Sequence, residues 1–367
     1  MAPPLFRAVP TFRQRSGGRY LTDSSLVASP QNTFNLTRPR VYGALDLGTN
    51  NCRLLIARAE KHDFMVVDAF SRIVRLGEGL AASHRLSDAA IDRALAALSV
   101  CAEKLRKRNV FLARSVATEA CRRALNGRNF VQRVYKETGL LLEIISAEQE
   151  AQLAVLGCHM LLTEKDVPSL IFDIGGGSTE LILTMSDHNG PKVLDWVSVP
   201  WGVVSLTESL GYRGNSLADR KQAYQAMKEQ VKKLFLSFSD RLKKQRLTPR
   251  SLLGTSGTVA TLGSIYLELP RYDRRMVDGL IAPTAALRQI SKQLSLMSIK
   301  ERAKITCIGE DRADLIVAGC AILDAIVEIW PINAVHIADR GIREGILRDL
   351  IARYGYCSRP FNRERFL

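Results

Sequence analysis

Metal-ligand and disulfide spacings are missing from this sequence. Its seven cysteines, at 52, 101, 121, 158, 307, 320 and 357, are odd in number and include no C-x-x-C pair. They read as reduced thiols of a cytoplasmic protein, mostly small core residues. The five histidines, at 62, 84, 159, 188 and 336, show no zinc-ligand spacing, which argues against a zinc centre. Long apolar runs are absent too. The longest, Leu315–Leu323, is cut by Asp324 and is too short to span a bilayer, so no membrane association is expected. The N-terminus lacks the apolar segment of a secretory signal. Acid is scarce at that end: residues 1–40 hold six arginines and a single acid, Asp23. That composition reads as a disordered basic extension.

What is present is an ordinary globular composition, 46% hydrophobic and 24% charged over 367 residues. That length suits two domains. We place them at 41–165 and 166–340, with a helix near 341–355 able to pack back on the first and a tail at 356–367. The net charge is +15, which suits a polyanionic partner. No recognised nucleic-acid module is present, so no specific nucleic acid is expected.

The most informative stretch is 170–184, Leu-Ile-Phe-Asp-Ile-Gly-Gly-Gly-Ser-Thr-Glu-Leu-Ile-Leu-Thr. Two short β-branched runs flank a polar glycine turn, so it reads as two strands. Gly175, Gly176 and Gly177 let backbone N–H groups form a concave nest that binds anions, phosphate above all. Ser178 and Thr179 add hydroxyls. Asp173 ends the incoming strand, where it can supply an oxygen ligand to a hard cation. A tight hairpin without ligand would share these features. The chain, however, carries a second version at 41–57, with Asp46 matching Asp173 and Gly48 matching Gly175, followed by Thr49 and Asn50. A duplicated phosphate hairpin suggests two similar domains facing each other across a cleft.

Around these hairpins the pattern repeats. Strands near 41–47, 52–59 and 64–71 lead to a loop, Arg72–Leu80, bearing two arginines. A helix with Ser87 as N-cap and a stripe of Ile91, Ala94, Leu95, Leu98, Cys101, Ala102 and Leu105 follows. Then come strand 110–117, a helix near 128–138, strand 140–145 and helix 147–162. The order β-β-β-α-β-α-β-α is that of a ribonuclease H-like unit. A second unit opens at Ser169, with its third strand near 192–199. A helix over 219–246 pairs an apolar stripe (Tyr224, Met227, Val231, Leu234, Phe235, Phe238, Leu242) with a basic face. Ser251–Leu262 is strand, Gly/Ser/Thr turn and helix, and Gly254, Thr255, Ser256, Gly257 and Thr258 suit phosphate. Residues 282–304 look helical and basic. Gly309-Glu-Asp-Arg-Ala-Asp314 precedes a long apolar helix, and 335–350 reads strand, turn, helix.

With these motifs in order, the chain resembles the exopolyphosphatase/guanosine pentaphosphate phosphohydrolase family, within the actin/sugar-kinase/Hsp70-like superfold. The resemblance covers roughly 41–350 and rests on Asp46-Leu-Gly-Thr-Asn50, Ala117-Thr-Glu-Ala-Cys-Arg122, Ile145-Ser-Ala-Glu-Gln-Glu-Ala151, Asp173-Ile-Gly-Gly-Gly-Ser-Thr-Glu180, Gly254-Thr-Ser-Gly-Thr258 and Arg340-Gly-Ile-Arg-Glu-Gly345. It implies an α/β fold of two ribonuclease H-like domains facing a cleft, in a short form without the larger members' C-terminal helical domain. Asn51 stands where the family commonly has serine, and Gln149 where glutamate is common. Ser146 and Gln149 fit a capping box, which Gln closes as well as Glu.

The resemblance implies metal-assisted hydrolysis of a terminal phosphoanhydride. Asp46 and Asp173 would position Mg²⁺, Glu150 would serve as general base, Arg122 would grip phosphate oxygens and Glu180 would orient water or metal. The substrate would be inorganic polyphosphate, or alternatively guanosine pentaphosphate (pppGpp), and a homodimer is plausible. An ATP-dependent phosphotransferase of the same superfold and a non-catalytic sensor of polyphosphate or alarmone stay open as further readings.

Overall fold

The computed structural model describes residues 39–355, except 62, 163, 165, 188, 189 and 212–215. The extension expected at 1–40 lies outside these residues but for its last two, and the tail at 356–367 lies wholly outside them. Arg40 corrects the expected boundary. Its carbonyl accepts from Ala59 N–H, its guanidinium donates to the Tyr354 carbonyl and lies 4.5 Å from the Phe111 ring centre. Arg40 is thus part of the folded body.

Two mixed sheets carry the fold. The first contains β1 (Val41–Leu47), β2 (Asn51–Ala59), β3 (Phe64–Ile73), β4 (Leu112–Ala117) and β5 (Leu142–Ile144), in the order β3-β2-β1-β4-β5. The second contains β6 (Ser169–Ile174), β7 (Thr179–Asp187), β8 (Gly190–Val199), β9 (Ser251–Thr255), β10 (Ile281–Pro283) and β11 (Ala334–Ala338), in the order β10-β11-β9-β6-β7-β8. In each, the first three strands form an antiparallel meander and the next two run parallel to the first strand. This is the ribonuclease H-like order, twice over, with β10 as an added antiparallel edge.

The sequence explains the core strands. Leu45, Leu47, Leu54 and Ile56 of β1 and β2 are buried against the helix Asp88–Lys107, which Ser87 caps by accepting from Ala90 N–H. Their partners on the opposite pleat face, Tyr42, Ala44 and Leu55, pack with Ile171, Ile182 and Leu253 of the second sheet's strands. Between the sheets lie the helices Ala147–Cys158 and Ile342–Tyr354, both in that shared core. They touch backbone to backbone. A Cβ on Gly157 would sit 2.0 Å from the Gly341 carbonyl oxygen, and one on Gly345 would sit 2.0 Å from that of Leu153. Only glycine permits that approach.

Two helix expectations change. The span 282–304 divides into β10, a helix Thr284–Leu296 and a short helix Ile299–Ala303. The break comes at Ser298, whose hydroxyl accepts from Glu301 N–H while Glu301 accepts from Ser298 N–H, a capping box that starts a new helix. The basic helix is Leu217–Lys244, and Leu234, expected in its stripe, is 38% exposed. Part of its basic face is committed: Lys228 and Lys232 pair with Glu328, and Arg241 with Asp195.

Candidate active site

The two hairpins close with the same bond. Gly48 N–H donates to the Asn51 carbonyl at 2.9 Å, and Gly175 N–H to the Ser178 carbonyl at 3.0 Å. The residues between turn toward each other. A Cβ on Gly176 would lie 2.9 Å from Thr49 Cβ, and one on Gly177 would lie 2.8 Å from Thr49 Oγ1. The second hairpin is glycine because the first packs against it tip to tip.

The helix Val203–Leu210 aims that second loop. Val203 N–H donates to the Gly175 carbonyl and Val204 N–H to the Gly176 carbonyl, at 3.0 and 2.8 Å. A trans peptide directs N–H opposite to C=O. The N–H groups of Gly176 and Gly177 therefore point away from this helix, as an anion nest requires.

Between the hairpins opens a cavity of about 130 Å³, lined by Asp46, Gly48–Asn50, Glu150, Asp173, Gly175–Ser178, Glu180 and Ser256–Thr258. That is roughly ten times the space one water needs. Most of the expected site residues line it. Thr179, Gly254, Thr255 and Arg122 do not. Thr179 is buried and donates to the Trp201 carbonyl at 2.7 Å. Gly254 lies beneath the Phe172 ring, where a Cβ would come within 2.5 Å of Cζ. Thr255 donates to the Arg340 carbonyl at 2.6 Å, tying β9 to the last helix. Ser178, although in the lining, spends its hydroxyl proton on Glu180 Oε1 at 2.7 Å.

Arg122 stands behind the cavity and is fully engaged. Its Nη1 donates to Glu150 Oε2 at 2.7 Å and to the Ile145 carbonyl at 3.0 Å. Its Nε and Nη2 both donate to Glu119 Oε2, at 3.2 and 2.9 Å. In this arrangement it holds the carboxylate of Glu150 rather than an open phosphate position. Glu150 itself enters from the first turn of the helix Ala147–Cys158, which the Ser146–Gln149 capping box starts.

Carboxylates dominate the electrostatics. Burial, then the negative charge of Glu180, push the Glu150 carboxyl well above its ordinary range, against the pull of Arg122. Burial also raises Glu180, opposed by the hydroxyls of Ser178 and Ser198. Asp173 is pushed up to about 8 by burial and by neighbouring Glu180 and Asp46. Asp46 is raised by burial, with Arg53 and Arg343 pulling the other way, and its Oδ1 is buried without a hydrogen bond. Glu150 and Glu180 are buried and Asp46 and Asp173 half-buried beside them, a set of carboxylates whose repulsion a bound cation would relieve. Among the described residues no three or more His, Cys, Asp and Glu side chains are grouped so as to hold a metal ion by themselves. A hard divalent ion held by one or two carboxylates, water and substrate phosphate suits such a set, and the orphaned Asp46 oxygen fits one of its ligand positions.

Three charged side chains in the lining were given no site role by the sequence reading: Arg53, Glu119 and Arg312. One signal could have found Arg53. Asp46 lies opposite Arg53 across β1–β2, as Asp173 lies opposite Glu180 across β6–β7. Superposing the two motifs puts Arg53 on Glu180, seven residues after its aspartate. Arg53 and Arg312 converge over Gly257, whose Cβ would lie 3.6 Å from a guanidinium nitrogen of each. The first turn of the helix Gly257–Tyr266 starts there.

Comparison with known proteins agrees with this geometry. The model of the Ppx/GppA phosphatase family matches residues 55–354. The chain belongs to the Ppx/GppA phosphatase family. This family member is 30% identical to exopolyphosphatase 2 of Mycobacterium tuberculosis, over 84% of this chain and 97% of that one. It is 29% identical to a guanosine-5′-triphosphate,3′-diphosphate pyrophosphatase of Aeromonas hydrophila, over 86% of this chain and 60% of that protein. A crystal structure of the Aquifex aeolicus Ppx/GppA member superposes with a TM-score of 0.70 at 26% identity, covering 87% of this chain and 99% of that one. Among the described residues no helix is long and apolar enough to cross a membrane.

Proposed function

We propose that this phosphoanhydride hydrolase is an exopolyphosphatase, releasing orthophosphate from the end of an inorganic polyphosphate chain. The observation that carries the reading is the seat of Glu150. It projects into the cavity between the two facing Asp-x-Gly hairpins, with Arg122 fixing its carboxylate. Its raised proton affinity suits a base that takes a proton from the attacking water near neutral pH. The nest at Gly176–Gly177 and the hydroxyl of Thr49 hold the terminal phosphates. Asp46 and Asp173 would hold Mg²⁺, which when bound would neutralise charge gathering on the phosphoryl oxygens. Arg53 and Arg312 take phosphates further along the chain. Glu180, fixed by Ser178 and Ser198, keeps the water or metal side of the cavity ordered.

Polymer is favoured over pppGpp by the lining. Backbone, hydroxyls, the amides of Asn50 and Asn51, carboxylates and arginines make up its polar part, and among the described residues no aromatic ring is there to stack a base. The test is phosphate release from long-chain polyphosphate and from pppGpp, side by side, for the wild type and Glu150→Ala. Release from polymer that disappears in the variant supports the reading. Release from the nucleotide alone overturns the substrate, and full activity in Glu150→Ala overturns the base.

A further inference from the structure

Two motifs remain outside this account: the loop Arg72–Leu80 and the segment Gly309–Asp314. The structure brings them together across the mouth of the cleft. The loop is built onto the first hairpin. Val74 and Arg75 N–H donate to the Asn50 carbonyl at 2.8 and 3.0 Å, and Gly77 N–H to the Thr49 carbonyl at 2.9 Å. From the other side Arg93 braces it, donating to the Val74 carbonyl at 2.9 Å, the Arg75 carbonyl at 3.4 Å and Glu78 at 2.6 Å. Arg75 adopts φ +47°, a left-handed conformation that a non-glycine residue keeps only where its surroundings impose it.

So held, the Arg75 side chain leaves its own sheet for the other half of the molecule. Its guanidinium pairs with Asp314 at 3.1 Å and donates to the Asp311 carbonyl at 3.4 Å. Those two residues flank Arg312, which lines the cavity while Arg75 does not. Beside this contact, Gly79 N–H donates to Glu208 Oε1 at 2.9 Å, a second bond across the mouth.

We propose that Arg75 is a positioning residue: its ion pair with Asp314 and its bond to the Asp311 carbonyl hold Arg312 over the phosphate cavity. Resting on the reading of that cavity as a phosphate-chain site, this ties the hairpin that grips one phosphate to the cation that grips another. Arg75 and Asp314 are 35% and 29% exposed, so the pair is partly screened and its effect moderate.

The test is a double-mutant cycle on Arg75→Gln and Asp314→Asn. Each single change should raise KM for medium-chain polyphosphate about threefold to fivefold, with kcat within about twofold of wild type. The double variant should be no worse than either single one. The sign for Asp314→Asn is the sharp point, because deleting an acid near a polyanion site would otherwise improve binding. If Asp314→Asn lowers KM or leaves it unchanged while Arg75→Gln raises it, Arg75 touches substrate directly and the inference fails. Lower Tm with unchanged KM in both variants would make the pair merely structural and would also overturn it. The same cycle on the Kd of inorganic tripolyphosphate, by calorimetry, separates this inference from the proposed function. Wild type that binds tripolyphosphate but hydrolyses neither polyphosphate nor pppGpp removes the exopolyphosphatase reading and leaves the cycle to decide for Arg75. Absence of tripolyphosphate binding removes both.

Discussion

The two hairpins share a backbone and differ in charge. Both close with a bond from the second residue after the aspartate to the fifth, and both set a side chain opposite that aspartate in the ladder. In the first hairpin the opposing residue is Arg53; in the second it is Glu180. Arg53 and Arg343 pull Asp46 down against burial and Glu344, whereas Asp173, although Arg53 also reaches it, is pushed up by burial and by Glu180 and Asp46. Like charges directly opposite destabilise a ladder, so the second hairpin carries a local cost that the first does not. One duplicated scaffold thus sets a cation opposite its aspartate in one copy and a carboxylate in the other.

If that division holds, the largest difference between the halves concerns the metal. Asp173→Asn should reduce kcat about a hundredfold or more and raise the Mg²⁺ needed for half-maximal phosphate release more than Asp46→Asn does. Equal shifts in the two Mg²⁺ titrations would break the comparison. Packing provides the next contrast. Gly176→Ala forces a methyl against Thr49 and Asn50 and should cost about 1–3 kcal/mol of stability in denaturant unfolding. Gly48→Ala meets nothing nearer than 3.6 Å, so its cost should stay within about 0.5 kcal/mol.

Acid–base linkage gives a third. With its folded value near 8 against 3.8 in the reference state, Asp173 holds a proton that the unfolded chain has released. Its contribution favours the fold at low pH and is lost as pH rises from about 4 to about 8. In EDTA the wild type should therefore lose stability over that window, and Asp173→Asn should have the higher Tm at pH 8, by about 5 °C. A variant less stable than wild type under those conditions would mean that the buried carboxylate is already compensated. On activity, an effect smaller than that of Asp173→Asn belongs to Arg53→Gln. It should raise KM for polyphosphate about fivefold with little change in kcat, read from initial rates at fixed salt. An unchanged KM would remove Arg53 from the phosphate contacts proposed for it.

Much of this was legible in the chain. Glycine and hydroxyl turns between β-branched runs announced both hairpins, and Ser87, Ser146 and Gln149 marked helix starts that the structure keeps. These signals are local: a cap, a turn or a strand period depends on residues within a few positions. Roles resting on distant partners were not legible. Thr179 and Thr255 resemble phosphate ligands by type, yet their hydroxyls are taken by Trp201 and Arg340 carbonyls. Arg122 looked free and is held by Glu119 and Glu150. Arg75 lay in a loop noted only for its two arginines until Asp314, 239 residues away, faced it.

The sequence by itself determined the duplicated architecture, the two aspartate-led turns and the helix that delivers Glu150, because short-range sterics and hydrophobic period decide those. Only the tertiary structure decided which polar groups remain available to a ligand. A buried donor or acceptor takes whatever partner the packing of the two sheets brings within reach, and that choice is made across hundreds of residues.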